Sequence, residues 1–392
     1  MLYVGIDVAS TKHDCCIIDS NGKDLSKNFT FLNNRDGFDS LIKTILSFSE
    51  NSQLQDVKIG LEATGHYSNN LIAFLVSYKI DVVVFNPLQV NLYRKSQTLR
   101  KTKTDKTDAK FLATMIFSTN TKSYSPASNQ ISELKALVRH RSRLISLRSK
   151  LKISVNRLVT ILFPELSSAV YSINQISTYA LLLELPTAKA ISQVHLTKLT
   201  KLLSSNSQGK YGKEKAIQIR NLALTSIGTH SLSTGFELQQ TIRIIQNVQS
   251  ELDILDNHIK FIMKEINSPI LSIPGISYIL ASIILAEIGD ISNFDNPSKL
   301  LAYAGLDPST HQSGKFNASN TPMVKRGSTY LRYAFLTAAR TVSMRNTTFK
   351  NYSNKKKLEG KHHFVVMSHV AKKLVRVIYH LLKTNTSFTS QA

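Results

Sequence analysis

The sequence predicts an α/β domain at the amino terminus, followed by mainly helical regions. Apolar and other residues alternate from Leu2 to Ser10, the period of a half-buried strand. Strand-like and helix-like segments then succeed each other up to about residue 125, and beyond it apolar residues recur at three- and four-residue steps. The chain has 392 residues and 42% hydrophobic content, which is enough for compact cores and predicts two or three domains.

The predicted elements of the first domain have a recognisable order. Asn21-Gly22 marks a hairpin turn because both residues tolerate the backbone angles of a tight turn. The predicted strands are Leu2–Ser10, His13–Asp19, Asn28–Leu32, Val57–Glu62 and Val82–Phe85, and the predicted helices are Arg35–Phe48 and Ser68–Tyr78. Three hairpin-linked strands followed by alternating helices and strands is the ribonuclease H-like order. We assign this domain to residues 1–125.

Residues 126–268 are predicted to form a helical coiled-coil region. Ile131–Leu162 is one long helical segment. A second segment carries a seam typical of a coiled coil; it consists of Ile242, Ile245, Val248, Leu252, Leu255, Ile259, Ile262 and Ile266. We expect the two segments to pair as an antiparallel hairpin or as an oligomer stalk. The insert between them, about residues 166–235, is rich in Ser and Thr, and its sequence indicates no role.

Residues 269–350 form a second predicted compact unit, mainly helical. A Pro274-Gly275 turn precedes an apolar helix over Tyr278–Glu287, which indicates a helix-hairpin-helix-like element. Ser277 stands where a second glycine is usual, so a plain helix–helix turn is the alternative. Residues 351–392 are predicted to be a basic carboxy-terminal helix and tail, with Val365, Val366, Val370, Leu374 and Val377 facing inward.

Charge indicates the class of partner. The formal net charge is +23 and the isoelectric point is near 9.9, which predicts a polyanion such as DNA or RNA. No apolar run approaches the roughly 20 residues of a membrane-spanning helix, and the amino terminus enters a strand rather than a signal peptide. Two adjacent cysteines can form neither a disulfide framework nor a zinc site. We therefore expect a cytoplasmic protein with no membrane partner.

Four carboxylates are the candidate catalytic and metal-binding residues. Asp7 and Glu62 lie in two strands that this topology makes neighbours, and Asp105 and Asp108 share one face at the start of a helix. Converging carboxylates repel each other unless a cation binds, and Mg²⁺, with Mn²⁺ as an alternative, prefers oxygen ligands. Each acid could instead cap a turn or a helix, and Asp105 suits a helix cap best.

Clustered cations are the candidate nucleic-acid contacts. Between Glu133 and Glu165 there is no acidic residue, so the cations of the long helix are uncompensated in the sequence. A solvated basic face is the alternative. The residues we select are Lys101, Lys103, Arg139, Arg141, Arg143, Arg148, Lys315, Lys325, Arg326 and Arg332.

Motifs at both ends of the chain resemble one family. GIDVAS, GLEATGHY and KTDKTDA in the first third, with IPGIS, AYAGLDPSTHQSGK and KRGSTYLRYAFLTAA in the last, resemble the DEDD-type insertion-sequence transposases. Their amino-terminal domain is RuvC-like, and their members include bridge-RNA-guided recombinases and a pilin-gene DNA invertase. The resemblance implies a transposase domain over 269–350.

The resemblance also implies roles for residues and partners. It makes Asp7, Glu62, Asp105 and Asp108 the acidic tetrad and Ser313 of HQSGK the nucleophile, which chemistry alone does not separate from Ser309, Thr310 and Ser319. It implies that the enzyme cuts and rejoins donor and target DNA through a phosphoserine, with Mg²⁺ on the tetrad. A guide RNA and a homo-oligomer, dimer or tetramer, joined by the coiled coil are the other expected partners.

Other functional interpretations of the same residues remain. A structure-selective nuclease with this amino-terminal fold would use water as the nucleophile and leave Ser313 idle. An RNA-independent DNA invertase would need no guide. A sugar kinase is suggested by GIDVAST, but no later glycine-rich phosphate loop follows and the charge suits no small substrate. A non-catalytic nucleic-acid-binding protein is opposed by the intact tetrad.

Overall fold

The computed structural model divides into two compact units, Met1–Pro126 and Ala127–Ala392. It describes residues 1–26, 28–49, 54–63, 65–97, 105–119, 121, 123, 128–309, 312–313, 316–317 and 322–389. The side chains of residues 55, 105, 106, 129, 312, 313, 316 and 317 lie outside this description.

The first unit is built on a five-stranded mixed sheet. Its strands are β1 Leu2–Val8, β2 Lys12–Ile18, β3 Phe29–Leu32, β4 Val57–Glu62 and β5 Asp81–Phe85. They lie in the order β3-β2-β1-β4-β5, with β1, β2 and β3 antiparallel and β1, β4 and β5 parallel. The helices are α1 Arg35–Phe48, α2 Tyr67–Ser77, α3 Pro87–Gln97 and α4 Asp105–Ser118. Every predicted element of this unit is confirmed within two residues.

Two different layers cover the sheet. On one face, Val4, Ile6 and Ile59 are fully buried in a core shared with Leu41 of α1 and Leu71 of α2. On the other face, α4 lies directly on the strands. A Cβ at Gly5 would overlap the backbone of Ala109 and Ala113, so glycine is required where helix and strand touch. This contact fixes α4 over β1.

The second unit is helical. Its helices are α5 Asn129–Leu162, α6 Leu166–Ala169, α7 Ile176–Glu184, α8 Ala188–Gln193, α9 Leu196–Asn206, α10 Lys213–Leu224, α11 Leu232–Ile266, α12 Tyr278–Ile288, α13 Pro297–Tyr303, α14 Thr329–Arg345, α15 Thr347–Leu358 and α16 His363–Thr384. A short hairpin of β6 Gln312–Ser313 and β7 Phe316–Asn317 follows α13. Within the described residues, no helix is long and apolar enough to span a membrane.

The long helices α5 and α11 pair antiparallel, as predicted. Arg141 bonds Asp256 and Arg157 bonds Glu237, so positions that advance along α5 retreat along α11. All predicted seam residues except Ile266, which is partly buried, lie in the core. Helices α6 to α10 pack on the far end of this pair and share one core with it, so the 166–235 insert is a compact helical cap. Supercoiling of the pair stays a prediction.

The basic carboxy-terminal segment is two helices, not one. The first ends at Leu358, Gly360 takes a φ of 72°, and His362 caps α16 by accepting a hydrogen bond from the Phe364 backbone nitrogen. Val366, Val370 and Leu374 are buried, and Val377 is partly buried. The inward placement of Val365 is wrong, since it is 47% exposed in the first turn of α16.

The Pro274-Gly275 turn packs against a helix. Gly275 has a φ of 100°, and a Cβ there would lie 2.9 Å from the Thr341 carbonyl oxygen of α14. The element before the turn is a single 3-10 turn, Pro269–Ser272, and Ser277 caps α12. These contacts favour the plain turn, the alternative to a helix-hairpin-helix.

Candidate active site

Two of the predicted acids lie at the carboxyl-terminal ends of neighbouring parallel strands. The register of β1 and β4 pairs Gly5 with Gly60 and Ile6 with Leu61. Asp7 and Glu62 are the next residue on each strand, so their side chains leave the same face of the sheet side by side. Both are partly exposed. The sheet topology therefore brings together two carboxylates that are 55 positions apart in the sequence.

The third acid comes from the helix on that face. Ala109 of α4 contacts Gly5, and the ring of Phe117 packs 5.5 Å from that of Tyr3. Since α4 runs opposite to β1, its start points toward Asp7 and carries Asp108. Asp105 is the first residue of α4, and its side chain lies outside the described residues.

A cation accompanies Asp108. Arg94 of α3 donates from Nη1 to Oδ1 of Asp108 at 3.4 Å, and the side chain of Asp108 is only 14% exposed. The distance is long for a charge-assisted hydrogen bond, so the pair is loose. Arg94 offsets part of the negative charge at this edge of the sheet.

A further carboxylate lies on the same face and was missed in the sequence. The β1–β2 register places Asp14 directly opposite Asp7, and Asp14 is 5% exposed. Its Oδ1 accepts a hydrogen bond from the Thr30 hydroxyl at 2.7 Å. The signal was available only from the hairpin register, because directly opposed residues of an antiparallel pair share a face.

Asp7, Glu62 and Asp108 are acids of the type that binds a hard divalent cation, although these three side chains do not form a group that could hold one in this structure. Asp7, Glu62 and Asp108 supply carboxylate oxygens, the ligands that Mg²⁺ and Mn²⁺ prefer. Among the side chains that the structure describes, no three His, Cys, Asp or Glu residues form a group that could hold a metal ion. The side chain of Asp105 is not among them, so the full tetrad stays a prediction.

The candidate serine lies on a hairpin of the second unit. Its stem is closed by hydrogen bonds from the Ser309 nitrogen to the Pro322 oxygen at 2.8 Å and from the Val324 nitrogen to the Asp307 oxygen at 3.0 Å. Ser313 ends β6 and pairs with Phe316 of β7. Its hydroxyl, Thr310, Lys315 and Ser319 lie outside the described residues, as do Lys101 and Lys103 of the first unit.

Three predicted cations lie between the hairpin that carries Ser313 and the first turn of α14. Lys325 and Arg326 are exposed, and Lys325 has a φ of 57°. Arg332 of α14 donates from Nη1 to the Lys325 carbonyl at 3.0 Å and lies against Gly305, so it ties both ends of the hairpin together. Lys325 and Arg326 are left accessible to an anion.

A buried carboxylate, Glu287, lies next to Ser328, where the chain enters α14 after the hairpin. The side chain of Glu287 in α12 is fully buried and accepts hydrogen bonds from Arg139 of α5 at 2.8 and 3.1 Å and from Ser328 at 2.8 Å. Burial acts to raise the pKa of Glu287, but these hydrogen bonds and the charges of Arg139 and Lys135 lower it below the ordinary value. Glu287 therefore stays ionised and joins α5, α12 and the start of α14.

The arginines of α5 have partners far away in the sequence. Arg139 pairs with Glu287, Arg141 with Asp256 at 2.5 Å, and Arg148 donates to Gln249. The helix is uncompensated in the sequence, but α11 and α12 supply the acceptors. Arg143 is exposed and has no carboxylate partner among the described residues. It is thus the predicted α5 contact left most accessible to nucleic acid.

Comparison with known families agrees with both ends of this arrangement. Residues 4–164 match a DEDD-type transposase model of the IS110 group, and residues 267–354 match the model described as transposase IS116/IS110/IS902 family. The chain belongs to the IS110/IS116 family of transposases. The first match contains Asp7, Glu62, Asp105 and Asp108, and the second contains Ser313.

Relatives of the transposase match it along almost its whole length. It is 25% identical to an uncharacterised 44.8 kDa protein of insertion element IS116 from Streptomyces clavuligerus, over 99% of this chain and 96% of the relative. It is 26% identical to pilin gene-inverting proteins of Moraxella bovis and Moraxella lacunata, over 98% of this chain and 97% of each. The protein is thus an enzyme, a DNA transposase or site-specific recombinase.

Proposed function

We propose that the transposase cuts and rejoins DNA through Ser313, assisted by Mg²⁺ or Mn²⁺ on Asp7, Glu62, Asp105 and Asp108. The observation that carries this proposal is the β1–β4 register, which puts Asp7 beside Glu62 under the helix that bears the other two acids. A cation bound there would lower the pKa of a nearby hydroxyl and offset charge on a phosphate.

The chemical step transfers a phosphoryl group to the serine. The Oγ of Ser313 attacks the scissile phosphorus, a Ser–O–P bond forms, and the bond to the departing sugar oxygen breaks. A carboxylate accepts the serine proton, and the departing oxygen takes up a proton. The covalent link conserves the bond energy, so the reverse attack by a DNA hydroxyl rejoins a strand without ATP. The exposed Lys325 and Arg326 would neutralise the phosphate.

The step requires the serine and the acids to act on one phosphate. We propose that they meet within an oligomer, a dimer or a tetramer, in which the α5–α11 pair joins protomers. Exposed apolar side chains on both helices support an additional contact there, among them Ile153, Ile254 and Phe261, which are 69%, 61% and 60% exposed.

A denaturing gel tests the nucleophile. Full-length protein incubated with labelled DNA and Mg²⁺ should yield a protein–DNA adduct that survives denaturation, and Ser313→Ala should abolish it. Ser309→Ala and Ser319→Ala remove neighbouring hydroxyls and should leave it intact. Unaltered strand cleavage by Ser313→Ala, with no adduct in either protein, would instead identify a nuclease that uses water.

We further propose that a guide RNA selects the DNA sites by base pairing while the basic surface holds its backbone. The net charge of +23 and the exposed Arg143 support this division of labour. Sequencing of RNA that co-purifies with the protein should recover one discrete short species. Recombination by RNA-free protein would contradict guidance and favour an RNA-independent invertase, the activity suggested by the names of the Moraxella relatives.

A further inference from the structure

A cavity of about 660 Å³ lies in the carboxy-terminal helices, and neither the serine nor the tetrad lines it. Its walls are α15, α16 and residues 386–389, which fold back after Asn385 ends α16 in the left-handed conformation. Phe388 holds this tail down, because its backbone nitrogen donates to the Ser272 hydroxyl at 2.7 Å. The volume is within the roughly 300–1,000 Å³ of small-ligand sites.

One wall of the cavity carries two cations. Lys373 and Arg376 lie three residues apart, so they share one side of α16, and His380 follows on the same side. No Asp or Glu lines the cavity, and neither Lys373 nor Arg376 has a carboxylate partner among the described residues. Cations without a carboxylate partner in a concave site favour an anionic ligand. Hydroxyls of Thr348, Tyr352 and Ser387 add hydrogen-bonding groups.

The rest of the lining is aromatic and apolar. Phe388 stacks on Phe349 with ring centroids 6.2 Å apart, and Tyr352 holds the Lys373 ammonium 4.7 Å from its ring centroid. Val377 and Leu381 complete this part of the lining. Cations beside aromatic rings are the pairing used for unpaired nucleotides, in which phosphate meets the charge and the base meets a ring.

We propose that this cavity binds an unpaired nucleotide of the DNA substrate, with its phosphate on Lys373 and Arg376 and its base against Tyr352 and Phe388. The choice of DNA over RNA rests on the family activity, and the role in strand exchange rests on the proposed function. The site would hold a displaced or terminal nucleotide while partner strands are exchanged.

Photocrosslinking tests the cavity directly. The probe is a short single-stranded DNA with one 4-thiothymidine, irradiated with the full-length Ser313→Ala protein and mapped by mass spectrometry. We expect a crosslink at Tyr352 or Phe388 that a paired duplex of the same sequence does not give. Arg376→Gln and Lys373→Gln should each reduce its yield about tenfold, as expected for loss of one phosphate or stacking contact.

Matched variants separate the cavity from general charge. Lys357→Gln removes an exposed cation of α15 that does not line the cavity, and it should leave the yield unchanged. Val377→Trp fills the cavity and keeps its cations, and it should remove the crosslink while the thermal midpoint stays near that of the parent. Equal loss in Lys357→Gln, or an unchanged yield in Val377→Trp, would overturn the proposal.

Two further crosslinking experiments, one with a competitor and one with an RNA probe, identify the ligand. Thymidine monophosphate should displace the crosslink only at a concentration far above that of the DNA probe, and displacement at an equal concentration would assign the cavity to a free nucleotide. A matched RNA probe that crosslinks better than DNA would overturn the choice of DNA. The crosslink is measured in Ser313→Ala and the adduct in the parent protein, so the two tests are independent. A missing crosslink together with a normal adduct would refute only the cavity proposal. A normal crosslink together with a missing adduct would refute only the serine chemistry.

Discussion

The buried carboxylate Glu287 of the second unit contrasts with the strand-end carboxylates Asp7 and Glu62 of the first. Glu287 of the second unit is fully buried and takes its counter-charge and hydrogen bonds from Arg139 and Ser328 of the same chain. Asp7 and Glu62 of the first unit remain partly exposed at a sheet edge, with Asp14 opposite Asp7. A buried carboxylate bonded to an arginine holds helices together, whereas partly exposed carboxylates at adjacent strand ends are accessible to a cation from solvent.

The largest expected effect is on catalysis in the first unit. Asp7→Asn keeps the shape and removes the charge, so recombination should fall to about one-thousandth of the parent rate or lower. The thermal midpoint should change little, because Asp7 is partly exposed. Asp36→Asn, an exposed acid in the first turn of α1, is the matched control and should recombine normally. Full recombination activity in Asp7→Asn would show that the Asp7 carboxylate has no part in catalysis.

The next effect is on folding in the second unit. Glu287→Gln leaves Arg139 without its ionised partner and should lower the free energy of unfolding by about 2 kcal/mol, measured by urea denaturation. Glu359→Gln removes an exposed acid that also pairs with two lysines, and its urea midpoint should barely move. Equal midpoint shifts in both variants would show that burial of Glu287 contributes nothing.

The same carboxylate predicts a pH dependence. The pKa of Glu287 is lower in the folded protein than the ordinary 4.5, so the unfolded state binds more protons between the two values. The stabilisation is complete above the ordinary value and is lost as pH falls through the lowered one. The difference in unfolding free energy between the parent and Glu287→Gln should therefore be constant near neutral pH and shrink below about pH 4.5. A difference that grows with acidity would contradict this.

The smallest effect concerns the loose Arg94–Asp108 pair. A nearby cation disfavours metal binding, so Arg94→Met should tighten Mn²⁺ binding about threefold, measured by electron paramagnetic resonance without DNA. Lys95→Met, at an exposed neighbouring position, should change it less. Weaker Mn²⁺ binding in Arg94→Met would mean that Arg94 supports the acids by positioning Asp108.

Local periodicity predicted most of the first unit. Alternation located β1, and the spacing of apolar residues gave α1 its observed bounds, Arg35–Phe48. The strand at Val82–Phe85 was predicted from a short apolar run instead. The neighbouring placement of β1 and β4 followed from the order of elements, and with it the approach of Asp7 to Glu62. The position of Asp14 opposite Asp7 could not be predicted, because it depends on the register of the β1–β2 hairpin, which alternation does not fix.

Contacts between distant segments could not be predicted. Arg139 and Glu287 are 148 positions apart, and only the packing of α5 on α12 brings them together. The arginines of α5 therefore looked unpaired, although Asp256 and Glu287 offset two of them. Val365 was misplaced because it was assigned to the same face as the adjacent Val366, although neighbouring residues of a helix point about 100° apart and only Val366 meets the core.

The glycine at position 5 limits how this chain can diverge. Since the main chain of α4 rests on bare backbone there, no neighbouring side chain can be trimmed to make space for a larger residue. Alanine at position 5 would therefore lift α4 from the sheet and carry Asp108 away with it. A single added methyl group would therefore displace the helix that carries two of the proposed metal ligands.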